Sequence, residues 1–580
     1  MAKSTWQRLY KYVRPHQTIL WGGIASLFVV NALGIYIPLL IRDGVDELRA
    51  NVSFDRIWYY ALLIFGLSSV MLVIRMLSRL WLFGMGRQVE FDIKQALFQH
   101  ILTLEPAFFS RQTAGDLINR ATSDVDNIRR FLGFAILSIA NTIFAYGLTL
   151  PVMLSINWWL SLAAVTIYPV MLFIVTLFGD RLREQQTQVQ EDLSKMSELV
   201  QEDISGIALV KIYAQEDNER RAFRQINNNL LRANLRLAQT RNVLFPIIEA
   251  MAYISLLILL GLGTGAIANG SITVGGFVAL LIYAERLVFP TALLGFTLTI
   301  FQRGEVSIER IESILRSRPE ITDQATAIPL PISKVTGQVE ARNLCWQFPG
   351  APGPALTNIS FTIEPGETVA IVGPIGSGKS TLANALPRLL NIAPGQLFLD
   401  GYDITQVRLE DLRRAIAYVP QESFLFSTTI KNNIRYGDPI ADQPRVVNAA
   451  EQAQIHQEVL TFPQEYDTIV GERGITLSGG QRQRTALARA LLVDAPVLIL
   501  DDALASVDNQ TATNILQKLA ASRRTVIFIS HQLAAAAQAD RILVMESGKI
   551  IQTGRHPELL KVPGLYRQLW EQYQLEEVLS

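Results

Sequence analysis

A single cysteine, Cys345, stands among 580 residues, so no disulfide can close within the chain. It falls in a strand-like run and reads as a small core residue. No excess of either charge is present: Lys+Arg is 52 and Asp+Glu is 52. That balance removes the basic footprint of a nucleic-acid binder, and no nucleic-acid partner is expected. Charged residues of all kinds make up only 18%, against 49% hydrophobic, and the mean hydropathy is +0.24. Such scarcity of charge argues against a wholly soluble protein. The apolar residues are also unevenly placed. Long apolar runs fill the first half, whereas the second half reads as soluble. A chain of this length is too large for one core, so two or more domains are expected.

The stretch Gly373-Pro374-Ile375-Gly376-Ser377-Gly378-Lys379-Ser380-Thr381 organises the second half. It follows Val369 to Val372, an apolar run that reads as a buried parallel strand, and precedes Leu382 to Leu390, which reads as a helix. Strand, glycine loop and helix give the GxxxxGK[ST] pattern a mechanism. Glycines let backbone N–H groups wrap a phosphate chain without Cβ clashes, and the helix N-terminus adds partial positive charge. Lys379 can reach terminal phosphates, and the Ser380 hydroxyl can ligate Mg²⁺. The pattern by itself also allows a glycine-rich turn with a chance lysine.

In the first half, residues 1–17 carry Lys3, Arg8, Lys11 and Arg14 and no acid. The apolar run Thr18 to Ile41 exceeds the ~7–15 residues of a signal-peptide core, and no small-residue cleavage site follows it. It reads as a retained transmembrane helix with its basic end in the cytoplasm. Five more spans follow, each near the ~20 residues a bilayer requires: Ile57–Phe83, Leu132–Ile156, Trp158–Phe178, Leu244–Ala268 and Ile272–Phe301. The turns at Ser155-Ile156-Asn157 and Asn269-Gly270-Ser271 are short and uncharged, hence external. Segments 84–131 and 179–243 are long, charged and helical in pattern, hence cytoplasmic extensions of the spans. Polar groups within the spans are candidates for function because burying them in lipid is costly. Arg75 and Arg79 share one helical face and lie near the cytoplasmic end, where they can snorkel. Glu249, Glu285 and Arg286 either line a translocation cavity or hold the bundle by interhelical pairing. Pro246 and Pro290 are expected to kink or flex their spans.

Arg316 to Gly337 contains three prolines and no apolar periodicity, so it reads as a linker between a membrane domain, 1–315, and a soluble domain, 338–580. In that domain Phe348 precedes a Pro-Gly turn, where an aromatic can stack on an adenine or serve a core or turn role. Gln421 follows the strand-like Tyr418-Val419-Pro420 and is expected beside the nucleotide. Ser478, Gly479, Gly480 and Gln481 open a helix running from Arg482 to Leu492. They form a second anion-binding design or a helix cap. Val497 to Leu500 reads as a buried strand ending in Asp501 and Asp502. A carboxylate there suits Mg²⁺, with Asp502 facing the attacking water. Another buried strand, Thr525 to Ser530, ends at His531, a candidate contact to the terminal phosphate.

The ordered set GPIGSGKST, YVPQ, LSGGQ, LILDD, SVD and ISH resembles an ABC transporter nucleotide-binding domain over residues ~338–575. With the six preceding spans, the likeness to an exporter-type half transporter covers essentially the whole chain. The resemblance implies an α-helical membrane domain of six transmembrane helices with long cytoplasmic extensions, then an α/β P-loop domain of ABC type. It implies ATP and Mg²⁺ as bound species, a location in the plasma (inner) membrane, and both termini in the cytoplasm. Two chains would pair, each ATP clamped between one chain's phosphate loop (Gly373, Gly376, Ser377, Gly378, Lys379, Ser380 and Thr381) and the other's Ser478-Gly479-Gly480-Gln481. By position, Phe348 resembles the adenine-stacking aromatic, usually tyrosine. Gln421 resembles the glutamine that senses Mg²⁺, Asp501 the Mg²⁺ carboxylate, Asp508 the residue acting across the dimer, and His531 the switch histidine. Thr468 to Gly474 resembles the exporter loop that touches coupling helices, expected near Ala114–Ala121 and Tyr213–Asn218.

One departure matters. The position after Asp501 is usually the glutamate general base, and here it is Asp502. The shorter side chain implies ATP binding with slow hydrolysis at the chain's own site. The intact LSGGQ can still complete a competent site on a partner. Together these features resemble the Asp-bearing half of heterodimeric multidrug exporters, partnered by a chain carrying the glutamate. A weakly active homodimer, a lipid or peptide exporter with the same engine, and a mainly regulatory subunit are the alternatives. A soluble ABC-type ATPase of repair or translation is opposed by the six spans. No separate substrate-capture domain is expected, and nothing in the arrangement supports import.

Overall fold

A computed structural model describes residues 10–50, 54–471 and 474–579. Lys3 and Arg8 of the basic N-terminus, and Glu472 and Arg473 of the exporter-type loop, lie outside them. The chain divides into two compact units. One takes residues up to Thr103 with Gln112–Ser317, and the other takes Leu104–Arg111 with Arg318–Ser580.

Among the described residues of the first unit, six helical segments are long and apolar enough to cross a membrane. They are α1 (Tyr10–Leu48), α2 (Phe54–Ile101), α3 (Ala114–Ile156), α4 (Trp158–Ser205), α5 (Glu216–Ala268) and α6 (Val274–Leu315), with 39 to 53 residues each. At 1.5 Å per residue they extend about 60–80 Å, at least twice the ~30 Å hydrocarbon core. The excess is the predicted helical extension beyond the bilayer. Asn157 makes the tight turn between α3 and α4, its side chain accepting from the Leu160 N–H at 3.0 Å. Gly270, at φ +67°, turns the chain between α5 and α6. Apolar packing between helices gains little in lipid, so buried polar ties fix their register. Tyr283 donates to the Ile35 carbonyl at 2.5 Å, Tyr168 to the Ala284 carbonyl at 2.6 Å, and Ser255 to the Ala164 carbonyl at 3.1 Å. Pro246 and Pro290 lie inside α5 and α6, which continue through them as helix.

The second unit holds two sheets. Four strands form an antiparallel sheet in the order β2-β1-β4-β5: β1 (Val339–Trp346), β2 (Leu356–Ile363), β4 (Leu397–Leu399) and β5 (Tyr402–Asp403). Six strands form the other, in the order β10-β9-β3-β8-β7-β6. Its members are β3 (Thr368–Val372), β6 (Ile416–Val419), β7 (Val497–Asp501), β8 (Thr525–Ile529), β9 (Arg541–Glu546) and β10 (Lys549–Gly554). From β9 to β6 every pairing is parallel, and β10 alone is antiparallel. Continuous apolar runs suit such a sheet because both its faces are covered. Every residue of β3, β7 and β8 is buried. Parallel pairing also sends their C-terminal ends to one edge, where ligands bind in open α/β sheets.

Two sequence readings need correction here. Cys345 is exposed, not a core residue. Side chains alternate along β1, so with Leu344 fully buried its neighbour points outward; the Cys345 sulfur accepts from the Asn358 N–H at 3.2 Å. The helix expected from Leu382 to Leu390 runs as α7 from Lys379 to Ala385. It ends early because Arg388 adopts a left-handed conformation at φ +51°. The Arg388 N–H then bonds the Ala385 carbonyl at 3.1 Å, and the Leu389 N–H bonds the Asn384 carbonyl at 3.1 Å. That pair is a Schellman stop, favoured here by Pro387, which has no N–H to continue the helix.

Candidate active site

The strand register puts the chemistry in a row. Ile371 of β3 stands opposite Ile529 of β8, and Ile529 opposite Asp501 of β7. The loop after β3, His531 after β8, Asp501 and Asp502 at the end of β7, and Gln421 after β6 therefore emerge side by side. They enclose a cavity of 570 Å³, which Phe348 also lines.

The loop after β3 is shaped by backbone that only glycine adopts without strain. Gly378, at φ +96°, caps α7, and a Cβ there would stand 2.7 Å from the Ala355 carbonyl oxygen. Lys379 follows and is 6% exposed. Its Nζ donates to the Gly373 and Pro374 carbonyls at 2.8 and 2.9 Å, so the loop holds its own cation in place. Burial holds the Lys379 ammonium below its usual range, offset in part by Asp502 and Asp501. The Ser377 hydroxyl is buried in the same loop without a hydrogen-bond partner among the described residues.

Asp501 is 2% exposed. Ser380 donates to its Oδ1 at 2.9 Å and Tyr418 to its Oδ2 at 3.2 Å. Burial pushes this carboxyl above the usual carboxylate range, against the opposing pull of the two hydroxyls. Asp502 takes a left-handed backbone at φ +48°, pinned by its N–H donating to the Ile529 carbonyl at 3.1 Å. Phe348 is half exposed at the rim and packs edge-on against Trp346, ring centroids 4.4 Å apart.

The structure thus brings Phe348, Gly376, Ser377, Gly378, Lys379, Ser380, Thr381, Gln421, Asp501, Asp502 and His531 to one cavity. Gly373 stands behind the loop, where a Cβ would collide with the Met545 carbonyl. Ser478, Gly479, Gly480 and Gln481 do not line it. They open helix α8 (Gly479–Leu492) with a capping box. Ser478 Oγ accepts from the Gln481 N–H at 3.2 Å, and Gln481 Oε1 accepts from the Ser478 N–H at 2.9 Å. Gln481 Nε2 also donates to Glu458 at 3.0 Å. Asp508 does not line the cavity either. It caps helix α9 (Asn509–Ala520) by accepting from the Thr511 N–H at 2.9 Å. Sequence reasoning gave no role to Tyr418, although it begins the quoted YVPQ. Its signal was a hydroxyl one strand away from a buried carboxylate.

In the membrane unit a separate cavity of 420 Å³ is lined by Arg75, Arg79 and Arg286. Glu249 and Glu285 do not line it. Both are exposed, and Glu249 accepts from Tyr253, one turn along its own helix, at 3.2 Å. This cavity joins Arg286 to Arg75 and Arg79 of α2.

Residues 20–291 match the ABC transporter transmembrane region, and residues 356–505 match the ABC transporter domain. A probable multidrug resistance ABC transporter ATP-binding/permease protein, YheI of Bacillus subtilis, is 32% identical over 557 residues, covering 95% of each chain. The ATP-dependent lipid A-core flippase of Syntrophus aciditrophicus is 31% identical over 574 residues, covering 98% of this chain and 94% of the flippase. A bacterial Atm1-family ABC exporter, solved with ATP bound, aligns with a TM-score of 0.78 at 25% identity, covering 96% of this chain and 99% of that one. Transmembrane region and ATP-binding domain follow one another in a single chain, and full-length relatives exceed 30% identity: the chain belongs to the ABC transporter family, as a half transporter of the exporter type.

Proposed function

We propose that the chain exports a lipophilic or amphipathic compound by ATP-driven alternating access, as half of a heterodimer, and that its own ATP site turns over slowly. The observation that carries the slow site is Asp502. It lines the cavity beside Asp501 on a pinned left-handed backbone, and its carboxylate stops one methylene short of a glutamate's. A general base must lie within ~2.6–3.2 Å of its proton, directly or through one water.

The remaining roles follow from the chemistry of each group. Phe348 offers its ring to the adenine. The N–H groups of the loop, the orphaned Ser377 hydroxyl and Lys379 suit a polyphosphate, Lys379 exchanging two carbonyl partners for phosphate oxygens. Ser380, Asp501 and Gln421 offer hard oxygen donors, and a buried carboxylate with hydroxyl neighbours fits Mg²⁺, which supplies charge neutralisation when bound. His531, at the end of β8, suits a contact to the terminal phosphate. Ser478 to Gln481 present helix N–H groups to a second chain's ATP, and Asp508 acts across the same contact. The partner chain would carry glutamate where this chain has Asp502. Closure of two ATP-binding domains around ATP drives the membrane helices outward-open, and hydrolysis resets them. Nucleotide shifts this equilibrium only by its higher affinity for the closed pair.

A lipid cargo is the second reading, favoured by the lipid A-core flippase among the similar chains. ATP turnover of the chain purified alone in lipid tests the slow site. Turnover far below 1 s⁻¹ is expected, against the ~1–10³ s⁻¹ typical of enzymes. Rapid hydrolysis by the chain alone overturns the slow-site reading and leaves a working homodimer.

A further inference from the structure

We propose that a cleft between the outer ends of α1 and α2 holds one acyl chain of an amine-bearing zwitterionic phospholipid, with Arg56 taking its phosphate and Glu47 its ammonium. This lipid is a resident of the helix wall, not cargo, so its binding is independent of what the chain exports.

With the basic start of α1 in the cytoplasm, residues 40–48 of α1 and 54–64 of α2 lie at the opposite face of the bilayer. Between them is a cavity of 230 Å³ that shares no lining residue with the one holding Arg286. Leu40, Ile41, Ile57 and Ile64 make its wall apolar. The charge in its lining is a single pair: Arg56 Nη1 donates to Glu47 Oε1 at 2.5 Å, and Tyr60 shares a hydrogen bond with the same carboxylate. Leu40 is about 10 Å deeper than Glu47 along α1, at 1.5 Å per residue. Gly44 of α1 and Ala61 of α2 are the smallest residues of the lining. A Cβ at Gly44 would lie 3.5 Å from the Tyr60 ring, so a longer side chain would fill the space.

The depth of the ion pair follows from its neighbours. Phe54, Trp58 and Tyr59, all within three residues of Arg56, are exposed, and such aromatics collect at headgroup level. The apolar run of α2 begins at Ile57, one residue past Arg56. Arg56 and Glu47 therefore meet the headgroups while the apolar wall reaches into the outer leaflet. A staple between two helices needs no cleft below it. The Arg56 side chain is 66% exposed, and among the described residues only its Nη1 has a hydrogen-bond partner, so the rest of the fork is open to a phosphate. The Glu47 side chain is 27% exposed and accepts N–H groups. An anionic headgroup brings no cation to Glu47, and a choline headgroup has no N–H to donate. The volume falls below the ~300–1,000 Å³ of pockets for drug-sized ligands, which suits one acyl chain better than a bulky compound.

The test reconstitutes the full chain in bilayers of equal parts phosphatidylethanolamine, phosphatidylcholine and phosphatidylglycerol, extracts it gently, and counts retained lipid by native mass spectrometry. Phosphatidylethanolamine should be retained at least about tenfold over phosphatidylglycerol, with phosphatidylcholine between them. Glu47→Gln should bring the three to near-equal retention. Ala61→Leu, which changes no charge, should lower retention of all three by filling the cleft. An unchanged thermal midpoint certifies each variant as folded, and where Glu47→Gln fails that check Ala61→Leu decides in its place. Equal retention of the three lipids by the unmodified chain overturns the proposal. So does a preference that survives Glu47→Gln, or retention undiminished by Ala61→Leu. If a second chain covers the cleft instead, no lipid is retained and Ala61→Leu weakens pairing of the chains, which also overturns it.

Discussion

Asp502→Glu tests the slow site directly, and its expected size follows from geometry. The Cα of residue 502 is fixed, since its N–H is tied to the Ile529 carbonyl at 3.1 Å and its φ is +48°. Added length therefore becomes added reach, about 1.5 Å for one carbon–carbon bond. A misplacement of about 1 Å costs on the order of 10²-fold in rate, or about 2.7 kcal/mol on the barrier. Glutamate should recover that amount, raising kcat about 10²-fold with little change in ATP affinity. It should also destabilise the domain. Aspartate tolerates the left-handed region better than glutamate, so the longer residue costs about 1 kcal/mol. That lowers the melting temperature of an ATP-binding domain of this size by about 2–4 °C. Asp502→Asn keeps the shape and removes the base, and should abolish what turnover remains. The assay is steady-state phosphate release in lipid, with nucleotide binding measured in parallel. A kcat within twofold of the original in Asp502→Glu, with ATP still bound, refutes the reasoning. The same holds if Asp502→Asn turns over as fast as the unmodified chain.

Two further predictions follow from the same domain. Gly378→Ala forces a Cβ to within 2.7 Å of the Ala355 carbonyl at φ +96°; a loss of about 1–2 kcal/mol of stability and of ATP binding is expected, read by melting temperature and a fluorescent ATP analogue, and normal binding refutes it. His556, which shares a 2.7 Å hydrogen bond between its Nδ1 and the Tyr566 hydroxyl, is held by burial below its ordinary imidazole range. A depressed folded value means that its contribution is complete above the ordinary pKa of about 6.5 and is lost as pH falls through the folded one. The melting-temperature difference between the unmodified chain and His556→Asn should therefore shrink on acidification below about pH 6.5, and a difference constant from pH 8 to pH 5 refutes this.

What sequence could and could not reveal divides along physical lines. Six spans were legible because a bilayer imposes a length and a composition on each. The parallel strands were legible as unbroken apolar runs. Once Val369–Val372, Val497–Leu500 and Thr525–Ser530 are parallel neighbours, the residues following them must share an edge, so the candidate site was legible in outline. The errors arose where backbone conformation, not residue type, decides. No periodicity announces that Arg388 turns left-handed and stops α7. Cys345 was misjudged because one buried neighbour, Leu344, reverses the face it presents.

Arg286 shows the deeper limit. Sequence left Arg286, Glu285 and Glu249 two roles, lining a translocation cavity or pairing between helices. Adjacent helical residues diverge by about 100°, so Glu285 and Arg286 address different neighbours. Only the packing of α2 and α6 brings Arg75 and Arg79 to Arg286. A triad assembled from helices far apart in sequence has no sequence signature.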